Sequence, residues 1–217
     1  INRKQRTMSS KVVMGILALQ GDFAEHVATF NKCENVECRE IRKTEQLAGL
    51  HALVIPGGES TVMIKLLVEF GMFDAVQAFG NSGTPMFGTC AGCIMMASGI
   101  DGMPLQKTLA LSSCTVQRNA YGAQTHSFEA SIQGKEDLFG ASPINALLIR
   151  APKIIQVGEG IEVLARLAKS EKHADDAVLI KQGNLLLCTF HPEITGDTRI
   201  HAYFVNLARA HNTPYAP

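Results

Sequence analysis

The segment Gly88-Thr89-Cys90-Ala91-Gly92 carries the strongest chemical signal in the sequence. It follows a short apolar strand pattern and precedes a helix pattern that continues through Met96. Gly-x-Cys-x-Gly is the cysteine form of a nucleophile elbow, in which the flanking glycines let strand and helix approach closely. The helix N-terminus favours a thiolate. Cys90 is therefore predicted to be a nucleophile at the carboxyl edge of a parallel sheet, where such sheets bind ligands.

A cysteine nucleophile needs a base, and His191-Pro192-Glu193 offers one. The tripeptide follows the apolar run Leu185–Phe190, so it is expected at the same edge of the sheet as Cys90. A histidine can take and return the proton, and a carboxylate two residues later can orient its ring and stabilise the imidazolium. His-Pro-Glu alone is weak evidence, but together with the cysteine elbow it indicates a catalytic triad.

A third segment, Pro56-Gly57-Gly58-Glu59-Ser60, also lies at a strand end that opens a helix. Ser60 is predicted to be the helix N-cap. The Gly58 N–H is predicted to form an oxyanion hole together with the Ala91 N–H. The segment is not a Walker A loop, because no Gly-Lys-Ser/Thr follows it.

The remaining cysteines are expected to be small buried hydrophobic residues: Cys33, Cys38, Cys114 and Cys188. The spacing of Cys90 and Cys93 is also a CxxC, which keeps a thiol–disulfide protein open as an alternative. A zinc site would need two further ligands at suitable spacing, and none is apparent, so no metal is expected. A redox site would leave the two glycines and His191 unexplained.

Alternating strand and helix patterns position these residues. Strands are predicted at Val12–Leu19, Ala52–Ile55 and Pro85–Gly88, with a hairpin of Ala177–Ile180 and Asn184–Phe190. Helices are predicted to begin after Asp22, at Ser60 and at Ala91, and a last helix closes the chain. The helix from Ser60 should end at Gly71 and share one apolar face, formed by Val62, Met63, Leu66, Leu67 and Phe70. Residues 101–160 should lie over the edge of the sheet. The pattern predicts a mostly parallel sheet with helices on both faces.

The 217 residues suit one domain, expected over 12–217, preceded by a flexible extension at 1–11. Lys and Arg total 20, as do Asp and Glu, so the formal charge is zero and no nucleic-acid or membrane partner is expected. No apolar stretch reaches the length of a membrane span. The irregular cysteine spacing favours a reducing compartment, and a cytoplasmic location is expected.

Together, these segments resemble the triad-type (class I) glutamine amidotransferases, and within them the glutaminase-subunit family of pyridoxal 5′-phosphate synthase. The likeness covers about residues 13–210. The elbow and His-x-Glu are shared across the superfamily, whereas three other segments point to this branch: Leu17-Ala-Leu-Gln-Gly21, Arg118-Asn-Ala-Tyr-Gly122 and Ile149-Arg-Ala-Pro152. The resemblance implies a flavodoxin-like three-layer α/β fold and the hydrolysis of glutamine to glutamate and ammonia. Another cysteine hydrolase or amidotransferase of the same fold is an alternative.

The resemblance also implies roles for individual residues and for a partner. Cys90 would be the nucleophile, His191 the base and Glu193 its orienting acid. No metal or organic cofactor is implied, and pyridoxal phosphate would be a product of the complex. The partner would be a (β/α)₈ synthase subunit that receives ammonia and docks near Gln20. Glutamine would be bound by Gly58, Glu59, Ser60, Arg118, Ile149 and Arg150.

Overall fold

A computed structural model of the chain describes residues 11–121, 127–168 and 173–217. Residues 1–10 of the expected extension lie outside this range, and so does Gly122 of the Arg118–Gly122 segment. Lys11 is described and forms an ion pair with Glu37.

Five parallel strands form one half of a nine-stranded sheet within the described residues, in the order β2-β1-β3-β4-β12. They are β1 (Val12–Leu17), β2 (Val36–Ile41), β3 (Ala52–Ile55), β4 (Met86–Thr89) and β12 (Leu185–Cys188). The apolar runs of β1, β3 and β4 are buried because helices cover both faces of the sheet. The predicted parallel sheet is confirmed for this half.

The other half of the sheet is antiparallel and runs β12-β11-β10-β7-β8. Its strands are β7 (Ser127–Gly134), β8 (Ile144–Ile149), β10 (Ile161–Leu167) and β11 (Ala177–Gln182). The predicted hairpin is confirmed as β11 and β12. A smaller sheet contains β5 (Ala97–Ile100), β6 (Ser112–Gln117) and β9 (Lys153–Val157).

Helices cover both faces of the large sheet and make three layers. On one face α1 (Phe23–Phe30) and α6 (Arg199–His211) enclose Phe30, Phe87 and Phe204. The other face carries α2 (Ser60–Glu69), α3 (Phe73–Asn81) and α4 (Ala91–Met96). The short helix α5 (Glu136–Phe139) and a 3₁₀ turn at Thr44–Leu47 complete the helical elements of the described chain. Adjacent strand residues alternate between the two cores, as Leu53 and Val54 do.

Two predictions about α2 are wrong. Glu59, not Ser60, is the N-cap, and its carboxylate accepts a hydrogen bond from the Thr61 N–H, while Ser60 is the first helical residue. The expected apolar face is also too wide, since Val62 is 43% exposed and Phe70 is 55% exposed. The helix does stop at the expected place, with Gly71 in the left-handed region at φ +65°.

None of the helices in the described ranges combines the length and the apolar character that crossing a bilayer requires.

Candidate active site

Four neighbouring parallel strands end at one edge of the sheet, and each delivers part of the candidate site. Gln20 follows β1, Gly57 to Glu59 follow β3, Cys90 follows β4 and His191 follows β12. The strand order β1-β3-β4-β12 makes these segments spatial neighbours although they span most of the chain. Polar groups therefore converge where parallel sheets usually bind ligands.

Cys90 lies at the turn between β4 and α4 with φ +45° and ψ −100°. This conformation is strained for a residue with a side chain, and such strain is concentrated at functional sites. The Cys90 N–H donates to the Cys188 carbonyl oxygen at 2.8 Å, which anchors the turn to β12. The Cys90 Sγ atom is 3.8 Å from the carbonyl oxygen of Ile149.

The glycines on either side of Cys90 leave no room for a side chain. A Cβ atom at Gly88 would lie 2.6 Å from the Gly92 carbonyl carbon, and one at Gly92 would lie 2.1 Å from the Ile55 carbonyl oxygen. The close approach of strand and helix that the elbow motif predicts is therefore present in the structure.

His191 is buried and hydrogen-bonded to a buried carboxylate. Its Nδ1 atom lies 2.7 Å from Oε1 of Glu193, and the two side chains are 5% and 0% exposed. The Asp22 Oδ2 atom lies 3.3 Å from the same nitrogen. With Nδ1–H directed at two carboxylates, Nε2 is the nitrogen left for proton exchange with Cys90.

Gly57 forms the surface on which the His191 ring rests. A Cβ atom at this position would lie 2.3 Å from Cε1 and 2.8 Å from Nδ1 of His191. The imidazole can therefore occupy this position only because Gly57 has no side chain.

The electrostatics of the site favour a charged histidine. Burial lowers the pKa of His191, but hydrogen bonds with Asp22, Cys90 and Glu193 outweigh burial and raise it. Burial raises the pKa of Glu193, and the contact with His191 opposes that rise. The arrangement therefore stabilises an imidazolium next to the cysteine. This imidazolium is the proton donor that a leaving amine needs.

Gln20 holds the glycine segment in place. Its Oε1 atom accepts a hydrogen bond from the Glu59 N–H at 2.8 Å. The Asp22 N–H donates to the Gly57 carbonyl oxygen at 3.1 Å. Gly58 has φ +155°, and a Cβ there would meet Gln20 Oε1 at 2.6 Å. The segment after β1 thus fixes the Gly57–Glu59 loop at two points.

An ion pair lines the same cavity as Cys90. Arg118, which follows β6, donates from Nη2 to Glu59 Oε1 at 2.8 Å and from Nη1 to Gln106 Oε1 at 3.1 Å. Burial raises the pKa of Glu59, but hydrogen bonds from Thr61 and the charges of Arg118 and Arg150 lower it overall. A carboxylate and two guanidinium groups at one site can recognise the ammonium and carboxylate of an amino acid.

A cavity of about 290 Å³ brings together most of the residues predicted from the sequence. Of those, it is lined by Gln20, Gly58, Glu59, Ser60, Cys90, Arg118, Ile149, Arg150 and His191. Glu193 lies behind His191, and Ala91 is buried as the first residue of α4. The structure places all of them together, while their individual roles stay predictions.

Sequence reasoning missed four residues that line this cavity. From the sequence, Asp22 only marks the start of a helix, but its carboxylate makes no capping bond and lies 3.3 Å from His191 Nδ1. Asn119 adjoins the predicted Arg118, and Ile94 and Ile194 add apolar walls. The position of Asp22 directly after Gln20-Gly21 was the available signal.

Asp22, His191 and Glu193 also form a group whose ligand atoms lie within 4.8 Å of one another in the described structure. The 2.7 Å separation of His191 Nδ1 and Glu193 Oε1 is that of a hydrogen bond, so these atoms already serve an acid–base pair.

The CxxC alternative receives no geometric support. All six cysteines lie in the described ranges and are free thiols. Cys93 is fully buried, and burial raises its pKa well above the usual value, as expected of an unreactive thiol. Cys114 and Cys188 are buried as predicted, whereas Cys33 and Cys38 are half-buried.

Fold and site together define a triad-type glutamine amidotransferase. A solved structure described as a glutamine amidotransferase matches with a TM-score of 0.81 and 45% identity, covering 90% of this chain and 98% of that one. The fold alone is shared with a chain in the structure of PurLQS from Thermotoga maritima, with a TM-score of 0.66 and 11% identity over 91% of this chain and 98% of that one.

The chain belongs to the SNO glutamine amidotransferase family, which it matches over residues 16–209. It is 47% identical over 192 residues to the pyridoxal 5′-phosphate synthase subunit PdxT of Pelotomaculum thermopropionicum, covering 88% of this chain and 93% of that protein. It is 45% identical over 197 residues to the protein of the same name from Thermus thermophilus, covering 90% and 97%. The family predicted from the motifs is confirmed.

Proposed function

We propose that this chain is the glutaminase subunit of a pyridoxal 5′-phosphate synthase, hydrolysing L-glutamine to L-glutamate and ammonia. The observation that carries the proposal is that Cys90 and His191, whose ring is hydrogen-bonded to the buried Glu193, line one cavity of a chain that belongs to this family.

We infer the following reaction, which the positions of the side chains support. The Cys90 thiolate, having given its proton to His191, attacks the side-chain amide carbon of glutamine and forms a tetrahedral oxyanion. The carbon–nitrogen bond then breaks, and His191 protonates the leaving nitrogen to give ammonia. Water, deprotonated by His191, attacks the thioester, and the carbon–sulfur bond breaks to release glutamate. Glu193 orients the imidazole throughout.

The oxyanion donors are assigned to the N–H groups of Ala91 and Gly58. Ala91 is the first residue of α4, where backbone N–H groups have no acceptor within the helix. The Gly57 carbonyl is held by the Asp22 N–H, and in a trans peptide the following Gly58 N–H points the opposite way. A change in the Gln20–Asp22 segment would therefore change the direction of this donor.

The glutamine backbone groups are assigned to the charged side of the cavity. Arg118 and Arg150 would pair with the carboxylate, and Glu59 with the ammonium. Gly58, Ser60 and Ile149 would complete the pocket.

The chain requires a partner to use ammonia, because ammonia in neutral water is protonated and loses its nucleophilicity. The proposed partner is a (β/α)₈ synthase subunit that docks near Gln20 and completes the oxyanion hole. The free thiols fit a reducing compartment, so we place the complex in the cytoplasm.

The test is glutamate release from glutamine by the chain alone and with the synthase subunit. Low turnover alone and a large rise with the partner are expected, and Cys90→Ala should abolish both. Turnover by purified Cys90→Ala would refute the assignment of the nucleophile.

A further inference from the structure

Two fully buried histidines lie behind the Glu193 carboxylate. Glu193 Oε1 contacts His191, while Oε2 has no hydrogen-bond partner within the described structure and lies 3.5 Å from Nε2 of His26. The His26 Nε2 atom is also 3.0 Å from Oγ1 of Thr89, and its Nδ1 atom is 3.1 Å from Nε2 of His201. The reaction described above uses neither histidine.

His26 carries a single ring proton. Burial lowers its pKa well below the usual value, and the nearby His201 and His191 lower it further, so the ring is neutral. A neutral imidazole has one N–H donor and one acceptor nitrogen.

The surroundings select where that proton lies. If the His26 proton were on Nδ1, it would be donated to His201 Nε2, and the His26 Nε2 lone pair would face the Glu193 carboxylate. The His201 proton would then lie on its Nδ1, which is buried and has no partner in the described structure. With the proton on Nε2, the N–H donates to Thr89 Oγ1 and lies 3.5 Å from Glu193 Oε2, and Nδ1 accepts from His201 Nε2. The second tautomer is favoured because it places a positively polarised N–H, rather than a lone pair, beside the buried carboxylate.

We propose that His26 is a positioning residue for this site: its Nε2–H is bonded to Thr89, which precedes Cys90, and stabilises the nearby charge of Glu193, which orients His191. The inference rests on the proposed function, since turnover is its readout. His26 lies on α1, outside the cavity, and touches no substrate. It joins the end of β4 to the residue that aligns the base, so it fixes the nucleophile relative to the base.

The experiment compares His26→Asn and His26→Gln, each in the wild-type and in the Glu193→Gln background. Glutamate release is measured at saturating glutamine in the presence of the synthase subunit. The Asn side chain is too short to place an N–H where Nε2 lies, so His26→Asn should lower kcat about tenfold, because the bond to Thr89 and the N–H beside the Glu193 charge are both lost. The Gln amide nitrogen can occupy the place of Nε2, so His26→Gln should keep kcat within about threefold of wild type.

The matched control is His51→Asn. His51 is a half-buried histidine at the start of β3, at the opposite edge of the sheet, where its Nδ1 accepts from the Val13 N–H. This variant should keep kcat within about twofold of wild type, because His51 is remote from the cavity and its replacement affects only the stability of the fold.

Coupling to Glu193 decides between positioning and general support of the fold. If His26 acts through Glu193, His26→Asn should lower the kcat of Glu193→Gln by less than about twofold. The same tenfold loss in both backgrounds, or no loss in either, would overturn the inference. If His26→Asn does not fold by circular dichroism, His26→Gln decides: near-wild-type kcat supports the inference, and a loss that persists in Glu193→Gln overturns it. A wild-type protein that releases no glutamate with the synthase would instead refute the proposed function.

Discussion

Cys90 and Cys93 are three residues apart but have different surroundings. Cys90 lines the cavity at a strained turn, whereas Cys93 is fully buried within α4. Cys93→Ser should therefore retain most glutaminase turnover and lower the stability by about 1–3 kcal/mol, because it buries a hydroxyl. Steady-state kinetics and urea denaturation measure the two effects. A folded but inactive Cys93→Ser would favour the thiol–disulfide alternative.

The base and its orienting acid should differ in importance. By analogy with hydrolytic triads, His191→Asn should lower kcat by about 10⁶, and Glu193→Gln by about 10⁴, because the acid transfers no proton. Stopped assays of glutamate with a Cys90→Ala baseline measure both losses. Wild-type activity in His191→Asn would exclude it as the base.

Gly57 controls the placement of His191 by having no side chain. Gly57→Ala would put a methyl group 2.3 Å from Cε1 of His191, so the ring must shift and kcat should fall at least tenfold. The matched control is Gly99→Ala, since nothing lies within 4 Å of a Cβ there and Gly99 is not among the glycines with positive φ. Equal activities of the two variants would contradict this account.

At the scale of elements, α1 and α6 meet through His26 and His201. Burial lowers the pKa of His201 to about 3, against 6.5 in the unfolded chain. The unfolded state therefore binds more protons between these values, and stability falls as the pH drops below about 6.5. Each such histidine contributes up to about 1.4 kcal/mol per pH unit.

His201→Phe should make that pH dependence shallower. The aromatic rings of Phe30 and Phe87 already border this position and can accept a phenyl ring. Urea denaturation at pH 7 and pH 5 should show a smaller loss of unfolding free energy in the variant than in wild type. Identical losses would show that His201 does not titrate on unfolding.

The end of β6 brings Arg118 to the cavity, and this placement favours a role in binding. Arg118→Ala should raise KM at least tenfold and change kcat less, because the guanidinium is far more suited to pairing with a carboxylate than to proton transfer. Initial rates over a range of glutamine concentrations separate the two parameters. An unchanged KM would place Arg118 outside the binding role.

The elements that can be predicted from the sequence are those that are almost fully buried, because burial requires a continuous run of apolar residues. The apolar runs of β1, β3 and β4 identify central strands, and the glycines of the elbow identify the nucleophile. β2 (Val36–Ile41) is not predicted, because this edge strand is half-exposed and rich in charged residues. Asp22 and His26 were missed because their roles depend on residues more than 60 positions away. The place of Asp22 directly after Gln20-Gly21 is a local signal only of its nearness to the site, and no local pattern marks His26.

At the scale of the whole molecule, Gln20 connects the site to the predicted docking face. Gln20→Ala removes the hydrogen bond to the Glu59 N–H and opens space beside Gly58. Activation by the synthase should fall at least tenfold, while the free energy of unfolding changes by about 1 kcal/mol. Turnover is titrated against synthase concentration. Full activation of the variant would refute the coupling.

The position of β12 in the middle of the sheet has a consequence for biosynthesis. β4 ends at Thr89, but its neighbour on one side, β12, begins only at Leu185. Chains emerge from the ribosome N-terminal end first, so Cys90 is made long before the histidine that activates it. A partly synthesised chain therefore contains Cys90 without its base. Hydrolysis can begin only after β12 has joined the sheet.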